Sequence, residues 1–247
     1  MWDKFQTIET VSEIGKKAFQ KEFVLKSRPL LIKGYCYDWK ATNKWNATYI
    51  GENFSNDKIG MMDIEESASK LSSYQLLPAK TLLENQNKAV ASPLEHFSND
   101  INNDYQIPSL CEKEAYLRSR IFIGPKNTVT ALHKDIPENI YTLLNGKKKV
   151  LLFPANNKMY AQSILSKHPN FSKVDAEKPD FIRFPKLKNA QPYSVELNPG
   201  DALYIPSLWW HHMRNIEDAT AINFWWSRSW QIPVSWLAVN YKKLIGV

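Results

Sequence analysis

Residues Val129-Thr-Ala-Leu-His-Lys-Asp135 form a predicted β-strand that ends in the motif His-x-Asp. Side chains two positions apart leave the same face of a strand, so His133 and Asp135 point in the same direction. This geometry lets an imidazole and a carboxylate bind one metal ion from a single strand. Such a pair is also common without a metal, and the alternative is a hydrogen-bonded pair at the surface or in the core.

A second stretch, Trp209-Trp-His-His212, supplies a further imidazole on another predicted strand. His211 together with His133 and Asp135 makes the set of two histidines and one carboxylate that holds Fe(II) and leaves coordination positions open. Four tetrahedral ligands would close such a site. Because successive residues of a strand face opposite ways, only one of His211 and His212 can belong to the set.

Both motifs lie in a stretch from Arg118 to Arg228 where short strands alternate with turn residues. This texture predicts a β-sandwich or barrel of the jelly-roll type. Asn145-Gly146 suits a type I′ turn, which predicts a hairpin between residues 140–144 and 147–153. The predicted strands are 120–123, 129–135, 140–144, 147–153, 193–197, 202–205, 211–215 and 220–226.

The residues on either side of this stretch are predicted to be partly helical. Residues 7–27 carry apolar side chains at helical spacing behind a capping Thr10 or Ser12, and residues 28–33 resemble a short strand. Residues 233–244 carry an apolar stripe of Val234, Leu237, Tyr241 and Leu244. We expect one domain over 1–247, with a helical and mixed part at 1–117, the β core at 118–228 and a C-terminal helix at 229–247.

The composition is that of a folded domain without a membrane span. The chain has 247 residues, of which 43% are hydrophobic, and this is ample for one large core. Its net charge of +7 permits an acidic partner, although the lysines are scattered and Lys147-Lys-Lys149 is the one tight run. Cys36 and Cys111 lack the spacing of a zinc site or a disulfide framework. No apolar run reaches the roughly 18 residues of a membrane helix, and the N-terminus has no apolar leader, so we expect a cytoplasmic protein.

A denser set of motifs surrounds the three metal-ligand residues, and together they resemble the JmjC/cupin-like 2-oxoglutarate oxygenases. The resemblance is closest to the small hydroxylase branch, which includes the asparaginyl hydroxylase that inhibits hypoxia-inducible factor. It is dense from about residue 118 to 228, with a weaker echo in Ser27–Gly34 and Trp39. The motifs are Gly124-Pro125, Thr130-x-x-His133-x-Asp135-x-x-x-Asn139, Gly146-x-Lys148, Leu151-Leu-Phe-Pro154, Val174-Asp-x-Glu177-x-Pro179-Asp180, Phe184-Pro185, Leu197-x-Pro199-Gly200-Asp201-x-Leu203-Tyr204-Ile205-Pro206, Trp209-Trp-His211 and Asn223-Phe-Trp-Trp226.

The resemblance implies a double-stranded β-helix with Fe(II) at one mouth, 2-oxoglutarate as cosubstrate and O2 as oxidant. By position, His133, Asp135 and His211 match the metal ligands of the family. The cosubstrate contacts of the family fall on Thr130 and Lys148 for the distal carboxylate, on Asn139 and Asn223 for amides that line the pocket, and on Trp225 for a packed aromatic ring. Many relatives add a tyrosine before the β core, for which Tyr74, Tyr105 and Tyr116 are alternatives.

Strand alternation supports the inward role of Lys148 independently of the resemblance. Lys148 points opposite to Lys147 and Lys149, and it can share an interior with the three metal-ligand residues. A buried ammonium group needs an anionic partner, which a dicarboxylate supplies. Without the resemblance, ordinary strand and turn hydrogen bonds would account for Thr130, Asn139 and Asn223, and core packing would account for Trp225.

The resemblance implies that 2-oxoglutarate is split to succinate and CO2 while a substrate C–H is hydroxylated. A protein or peptide side chain is the first expected substrate. The alternatives are RNA, including tRNA, an N-methyl group lost as formaldehyde, a small molecule, and a catalytically silent cupin-like binding protein. The apolar stripe of 233–244 either forms a homodimer, as helices after the β core do in relatives, or packs on its own domain.

Overall fold

A computed structural model of the chain describes residues 2–64, 74–112, 116–155, 159–162, 166, 168–228, 231 and 233. Within these ranges lie thirteen strands, which form two sheets. The strands are β1 (Glu9–Val11), β2 (Leu30–Ile32), β3 (Lys58–Asp63), β4 (Tyr74–Pro78), β5 (Lys88–Pro93), β6 (Tyr116–Gly124), β7 (Val129–Lys134), β8 (Glu138–Asn145), β9 (Lys148–Phe153), β10 (Tyr193–Leu197), β11 (Ala202–Ile205), β12 (Trp210–Asn215) and β13 (Ala219–Trp226).

The helices of the described ranges are short, and most of them precede the β core. No helix there has the length and apolar character needed to cross a membrane. They are α1 (Lys16–Phe19), continued by a π-helical turn at Gln20–Val24, α2 (Lys40–Lys44), α3 (Ala47–Asn53) and α4 (Thr81–Glu84), with 3-10 turns at Leu94–His96, Asn99–Asn103 and Pro185–Asn189.

The larger sheet has the strand order β1-β2-β11-β8-β13-β6-β5-β3-β4, and the smaller sheet has the order β10-β9-β12-β7. Their facing sides share one hydrophobic cluster, to which β8 and β11 contribute from one sheet and β9, β10 and β12 from the other. Its members include Tyr141, Leu143, Val150, Leu152, Val195, Leu197, Leu203, Ile205 and Met213. Two sheets closed over a common interior confirm the predicted double-stranded β-helix.

The opposite face of the larger sheet is covered by the N-terminal part of the chain. Phe19 of α1 packs edge-on against Tyr204 of β11, with ring centroids 4.9 Å apart, and Trp39 packs edge-on against Phe224 of β13. Both faces of the central strands are therefore buried, as the nearly continuous apolar sequence of β8 and β13 requires. The N-terminal part covers this outer face, and the opposite face of the larger sheet is turned toward the smaller sheet.

The predicted hairpin at Asn145-Gly146 is wrong, because β8 lies in the larger sheet and β9 in the smaller one. β8 already has β11 and β13 on its two sides, so it has no free edge for β9. Gly146 does adopt the left-handed conformation that the turn needs, with φ of 73°. A Cβ atom there would lie 1.9 Å from the carbonyl oxygen of Asp218. The glycine thus allows the tight connection by which the chain passes from the larger sheet to the smaller one.

The predicted helix over residues 7–27 is also shorter than expected. Residues Glu9–Val11 form β1, which pairs in parallel with β2, and the helix begins only at Lys16 after Gly15. The parallel partner at Leu30–Ile32 competes successfully with the local helical pattern. The predicted C-terminal helix at 233–244 falls almost wholly outside the described residues.

Candidate metal centre

The three predicted metal-ligand residues meet at one end of the smaller sheet. β7 and β12 are antiparallel neighbours, and His211 lies directly opposite His133. Directly paired residues share a face of the sheet, so both imidazoles project from the same side. Asp135 follows β7 immediately, and its backbone carbonyl accepts a hydrogen bond from the Leu208 N–H. The ends of two adjacent strands and the loop beside them therefore build the site.

The side chains of His133, Asp135 and His211 converge closely enough to share one ion. Their possible ligand atoms all lie within 4.8 Å of one another. The Oδ2 atom of Asp135 lies 4.0 Å from Nε2 of His133 and 3.7 Å from Nε2 of His211. The two imidazole centroids are 4.1 Å apart. A divalent ion between these atoms would have ligands on one side and open positions on the other.

Each imidazole is oriented by a hydrogen bond to a backbone carbonyl two residues earlier in the chain. Nδ1 of His133 lies 2.8 Å from the carbonyl oxygen of Ala131, and Nδ1 of His211 lies 3.1 Å from that of Trp209. A carbonyl can only accept, so Nδ1 carries the hydrogen and Nε2 keeps its lone pair. Phe171 stacks on the His133 ring with centroids 4.9 Å apart and fixes its plane.

Burial of His211 also favours metal binding, because it lowers the pKa of the imidazole. Burial, with a smaller contribution from the adjacent His133, lowers the pKa of His211 to about 4. The imidazole of His211 is consequently neutral at pH 7, the form in which histidine binds metals. The neutral imidazole of His211, the imidazole of His133 and the carboxyl group of Asp135 are the types of ligand that Fe(II) binds.

His212, the alternative to His211, faces away from this cluster. Its Nε2 lies 3.4 Å from a carboxylate oxygen of Glu177, outside the smaller sheet. Arg214, two residues further on β12, donates to the same carboxylate, with 2.6 Å between Nε and Oε1. Of the two adjacent histidines, His211 is therefore the one that faces His133 and Asp135.

A β-bulge brings Thr130 onto the same side as His133. The register between β7 and β12 shifts, so that Met213 pairs with Thr130 although His211 pairs with His133. Met213 belongs to the interior cluster, and its partner Thr130 therefore faces the interior as well. Regular alternation would place Thr130 and His133, which are three positions apart, on opposite faces. Sequence reasoning did not foresee this bulge.

Lys148 lies deeper in the same interior. Its side chain is buried, and Nζ lies 5.4 Å from the ring centroid of Tyr141 on the facing sheet. Burial lowers the pKa of Lys148 to about 7. The inward orientation predicted from alternation is therefore what the structure has, although the strand that carries Lys148 pairs with β10 and β12 rather than with β8.

The remaining predicted pocket residues form a polar patch on the larger sheet. Trp225 pairs directly with Asn139, and Asn223 pairs with Tyr141. Oδ1 of Asn223 accepts a hydrogen bond from the Arg120 N–H. Among the described residues, Oδ1 of Asn139, the hydroxyl of Tyr141 and Nε1 of Trp225 are buried without a hydrogen-bond partner. Buried polar atoms are rarely unsatisfied in this way, which is expected where a polar ligand belongs.

The structure adds interior residues that the sequence analysis missed. Tyr141 could have been found from its alternation with Asn139, whereas Arg118 and Arg120 became visible only once β6 was known to pair with β13. Of the three tyrosines proposed for the cosubstrate, Tyr105 packs in the outer core against Trp39. The ring of Tyr74 packs over the backbone of Gly60 on the neighbouring strand, and the side chain of Tyr116 is not among those that the structure describes.

Comparison with known proteins supports this geometry. A family model described as a cupin-like domain matches residues 50–232, about three quarters of the chain. The lysine-specific demethylase JMJ30 of Arabidopsis thaliana is 28% identical over 240 residues, covering 89% of this chain and 54% of its own length. The human bifunctional peptidase and (3S)-lysyl hydroxylase JMJD7 is 23% identical over 264 residues, covering 88% and 83%.

Among solved structures, Escherichia coli ycfD superposes with a TM-score of 0.59 at 14% identity, covering 87% of this chain and 53% of that one. This likeness concerns the fold alone. The chain spans about half the length of the first curated relatives that it matches. The family match, the two facing sheets and the convergent His133, Asp135 and His211 agree with one another: the chain belongs to the cupin-like family of JmjC oxygenases, which uses Fe(II), 2-oxoglutarate and O2.

Proposed function

We propose that this protein is an Fe(II)- and 2-oxoglutarate-dependent dioxygenase that hydroxylates an unactivated C–H bond of a protein or peptide side chain. The observation that carries the proposal is the convergence of His133, Asp135 and His211 within 4.8 Å. The buried Lys148 adds a cationic group deeper in the same interior. These two features suit, respectively, a chelating keto acid at a metal and the distal carboxylate of the same dicarboxylate.

In this proposal each pocket residue has a defined task. His133, Asp135 and His211 hold the metal, while Lys148 and Thr130 bind the distal carboxylate of 2-oxoglutarate. Asn139 and Asn223 supply amide groups along the cosubstrate, and Trp225 packs beside it. When bound, Fe(II) with 2-oxoglutarate supplies the chemistry that activates O2 and converts a substrate C–H bond to C–OH, releasing succinate and CO2. The apolar walls of the interior exclude water from that chemistry.

The proposal of a protein substrate rests on the relatives. The relatives given above are named as a lysine-specific demethylase and as a bifunctional peptidase and lysyl hydroxylase, and these names point to protein side chains as substrates. The same metal centre can hydroxylate a carbon or remove an N-methyl group, and we propose hydroxylation because of the sequence resemblance to the hydroxylase branch. An RNA or small-molecule substrate is an alternative outcome of the substrate experiments below.

The first test is the visible charge-transfer band that forms when 2-oxoglutarate chelates protein-bound Fe(II) in the absence of O2. We expect the band in the wild type, its loss in His133→Ala, and a higher 2-oxoglutarate requirement in Lys148→Ala. His96→Ala is the matched control, because His96 lies in a 3-10 turn outside the site and its loss should leave the band intact. A folded, iron-supplied wild type without the band would instead indicate a catalytically silent cupin-like binding protein.

A further inference from the structure

Two arginines lie on the face of the larger sheet that carries the proposed pocket residues. Arg118 and Arg120 lie two positions apart on β6, opposite Trp225 and Asn223 of β13 respectively. Because directly paired residues share a face, both side chains project to the side of the pocket residues. Their guanidinium carbons lie 5.3 Å and 5.8 Å from the ring centroid of Trp225, so one indole contacts two cations.

Neither cation forms a close ion pair within the part of the chain that the structure describes. None of its ion pairs involves Arg118 or Arg120, and the buried Nε of Arg120 has no hydrogen-bond partner there. Burial lowers the pKa of Arg120, and the charge of Arg118 lowers it further. An uncompensated buried cation is costly, and a bound anion would remove that cost.

The position of the two arginines separates them from Lys148, the proposed contact of the distal carboxylate of 2-oxoglutarate. Trp225 pairs with Asn139 near the start of β8, which follows Asp135 closely in the chain. Lys148 instead pairs with Asn215, at the other end of β12 from His211. Arg118 is exposed and Arg120 is partly buried, so the pair lies on the solvent side of the metal end. Lys148 is therefore placed for the distal carboxylate of 2-oxoglutarate, and the arginines are placed for a second anion that comes from outside.

We infer that Arg118 and Arg120 bind an acidic side chain of the substrate, so that the protein selects a peptide segment with aspartate or glutamate at or beside the oxidised residue. This inference rests on the proposed function and adds a substrate class to it. Two adjacent cations would repel a lysine side chain at the same position. A carboxylate can be held by the guanidinium forks while the arginines remain stacked on Trp225.

A peptide fits these surroundings better than a nucleic acid. Negative charges on Asp135 and Glu95 already act on Arg120 and raise its pKa. A peptide needs only one carboxylate to pair with the two guanidinium groups, whereas a nucleic acid presents a run of phosphates that needs a continuous basic track and that those acids would repel.

The test uses the whole protein, loaded with Fe(II) and 2-oxoglutarate without O2 and immobilised at physiological ionic strength. It is exposed to a degenerate peptide library, and the recovered peptides are sequenced. We expect several-fold enrichment of Asp and Glu and depletion of Lys. Arg120→Gln and Arg118→Gln should abolish this preference. Arg183→Gln should retain it, because Arg183 is an exposed cation that stacks on Phe184 away from the site. Since Arg118 is exposed, its variant remains informative even if Arg120→Gln does not fold.

Several results would overturn the inference. They are recovery of peptides without acidic enrichment, enrichment of lysine, or an acidic preference that survives both arginine substitutions. Capture of a randomised single-stranded RNA that depends on the two arginines would assign them to a nucleic acid. If Arg120→Gln weakens 2-oxoglutarate binding as strongly as Lys148→Ala does, Arg120 is a cosubstrate contact. The charge-transfer band is recorded on every sample, so failure of the proposed function itself is detected separately.

Discussion

Lys148 is a buried ammonium group whose pKa falls to about 7 because burial penalises its charged form. In the free protein it is therefore largely neutral above pH 7. A dicarboxylate bound beside it would favour the charged form and raise its pKa. Binding of 2-oxoglutarate should then take up a proton at Lys148 whenever the solution is more alkaline than pH 7.

The affinity for 2-oxoglutarate should therefore fall as the pH rises above about 7. The fall should reach about tenfold per pH unit in the range where Lys148 is neutral in the free protein and protonated in the complex. Anaerobic titrations of the charge-transfer band across this range measure the effect. Lys148→Arg is the control, since a guanidinium stays protonated throughout and its affinity should be much less sensitive to pH. An equal pH dependence in the two proteins would show that another group titrates.

The residues that could be predicted from the sequence are those whose spacing along one strand carries the information. His133 and Asp135 are two apart, and Lys148 alternates with its neighbours, so the inward side of each follows from local geometry. Thr130 was proposed from resemblance alone, since its direction depends on a register shift between two distant strands. Arg118 and Arg120 were missed for the same reason: their importance appears only when β6 is seen beside β13.

At the scale of elements, an ion pair fastens the 174–190 connection to the outside of β12. Glu177 accepts hydrogen bonds from Arg214 and contacts His212, which lies beside His211. Burial acts to raise the pKa of Glu177, but Arg214 and His212 outweigh it and hold that pKa well below its usual range. A carboxyl group with a lowered pKa stabilises the fold above its ordinary pKa and loses that contribution in acid.

We expect Glu177→Gln to lower the free energy of unfolding by about 1.5–3 kcal/mol at pH 7, the usual range for hydrogen bonds to a charged group. Urea denaturation measures the change. Glu196→Gln is the matched control, because Glu196 is mostly exposed, lies 3.9 Å from Lys147 and should change stability little. The difference between the two variants should shrink as the pH falls below about 4, because Glu177 then becomes protonated in the unfolded chain while it stays ionised in the folded one. Equal effects of the two substitutions at pH 7 would exclude this role for Glu177.

The elements also show where local patterns stop being informative. The turn at Asn145-Gly146 was predicted as type I′, but only Gly146 has the positive φ that both central residues would need, and the strands that it joins are not partners. Turn chemistry specifies how the chain reverses, and the choice of neighbouring strand is set by which edges are free. Similarly, the apolar spacing of residues 7–27 could not reveal the parallel pairing of β1 with β2.

At the scale of the whole molecule, Glu138 joins several distant parts of the chain in the sealed core. Its carboxylate accepts hydrogen bonds from the Tyr204 hydroxyl at 2.7 Å and the Ser207 N–H at 2.9 Å. The same group pairs with Arg228, 3.0 Å from its Nε, and accepts a hydrogen bond from Gln231. The start of β8, the loop after β11 and the segment after β13 are therefore connected through one buried charge, close to the loop that holds Asp135.

Glu138→Gln should lower the free energy of unfolding by about 3 kcal/mol, the lower end of the range for breaking a buried pair, since Arg228 is partly exposed. It should also weaken metal binding, because the loops around Asp135 lose a common anchor. Calorimetric unfolding and a metal titration measure the two effects. Glu9→Gln removes a half-exposed ion pair with Arg28 and should cost less than about 1 kcal/mol. A Glu138 variant as stable as the Glu9 variant would contradict this view of the network.

The overall architecture was predictable because the sequence pattern behind it, a short strand followed by a turn, occurs many times along the chain. Short strands separated by turn residues recur from 118 to 228, and a jelly roll is one of few ways to bury them together. The part before residue 118 has no such repetition. Its short helices and the strands β3, β4 and β5 are specified by contacts with the finished β core, such as that of Trp39 with Phe224.

The hydrogen bonds from His133 to the carbonyl of Ala131 and from His211 to that of Trp209 have a kinetic consequence. Each imidazole takes its orientation from a backbone atom two residues earlier on its own strand, so no ion is needed to set it. Loading the protein with metal should then require little ordering of the chain. Exchange of one metal for another should be limited by ligand release and solvent entry rather than by refolding, and the empty and loaded proteins should have nearly the same backbone.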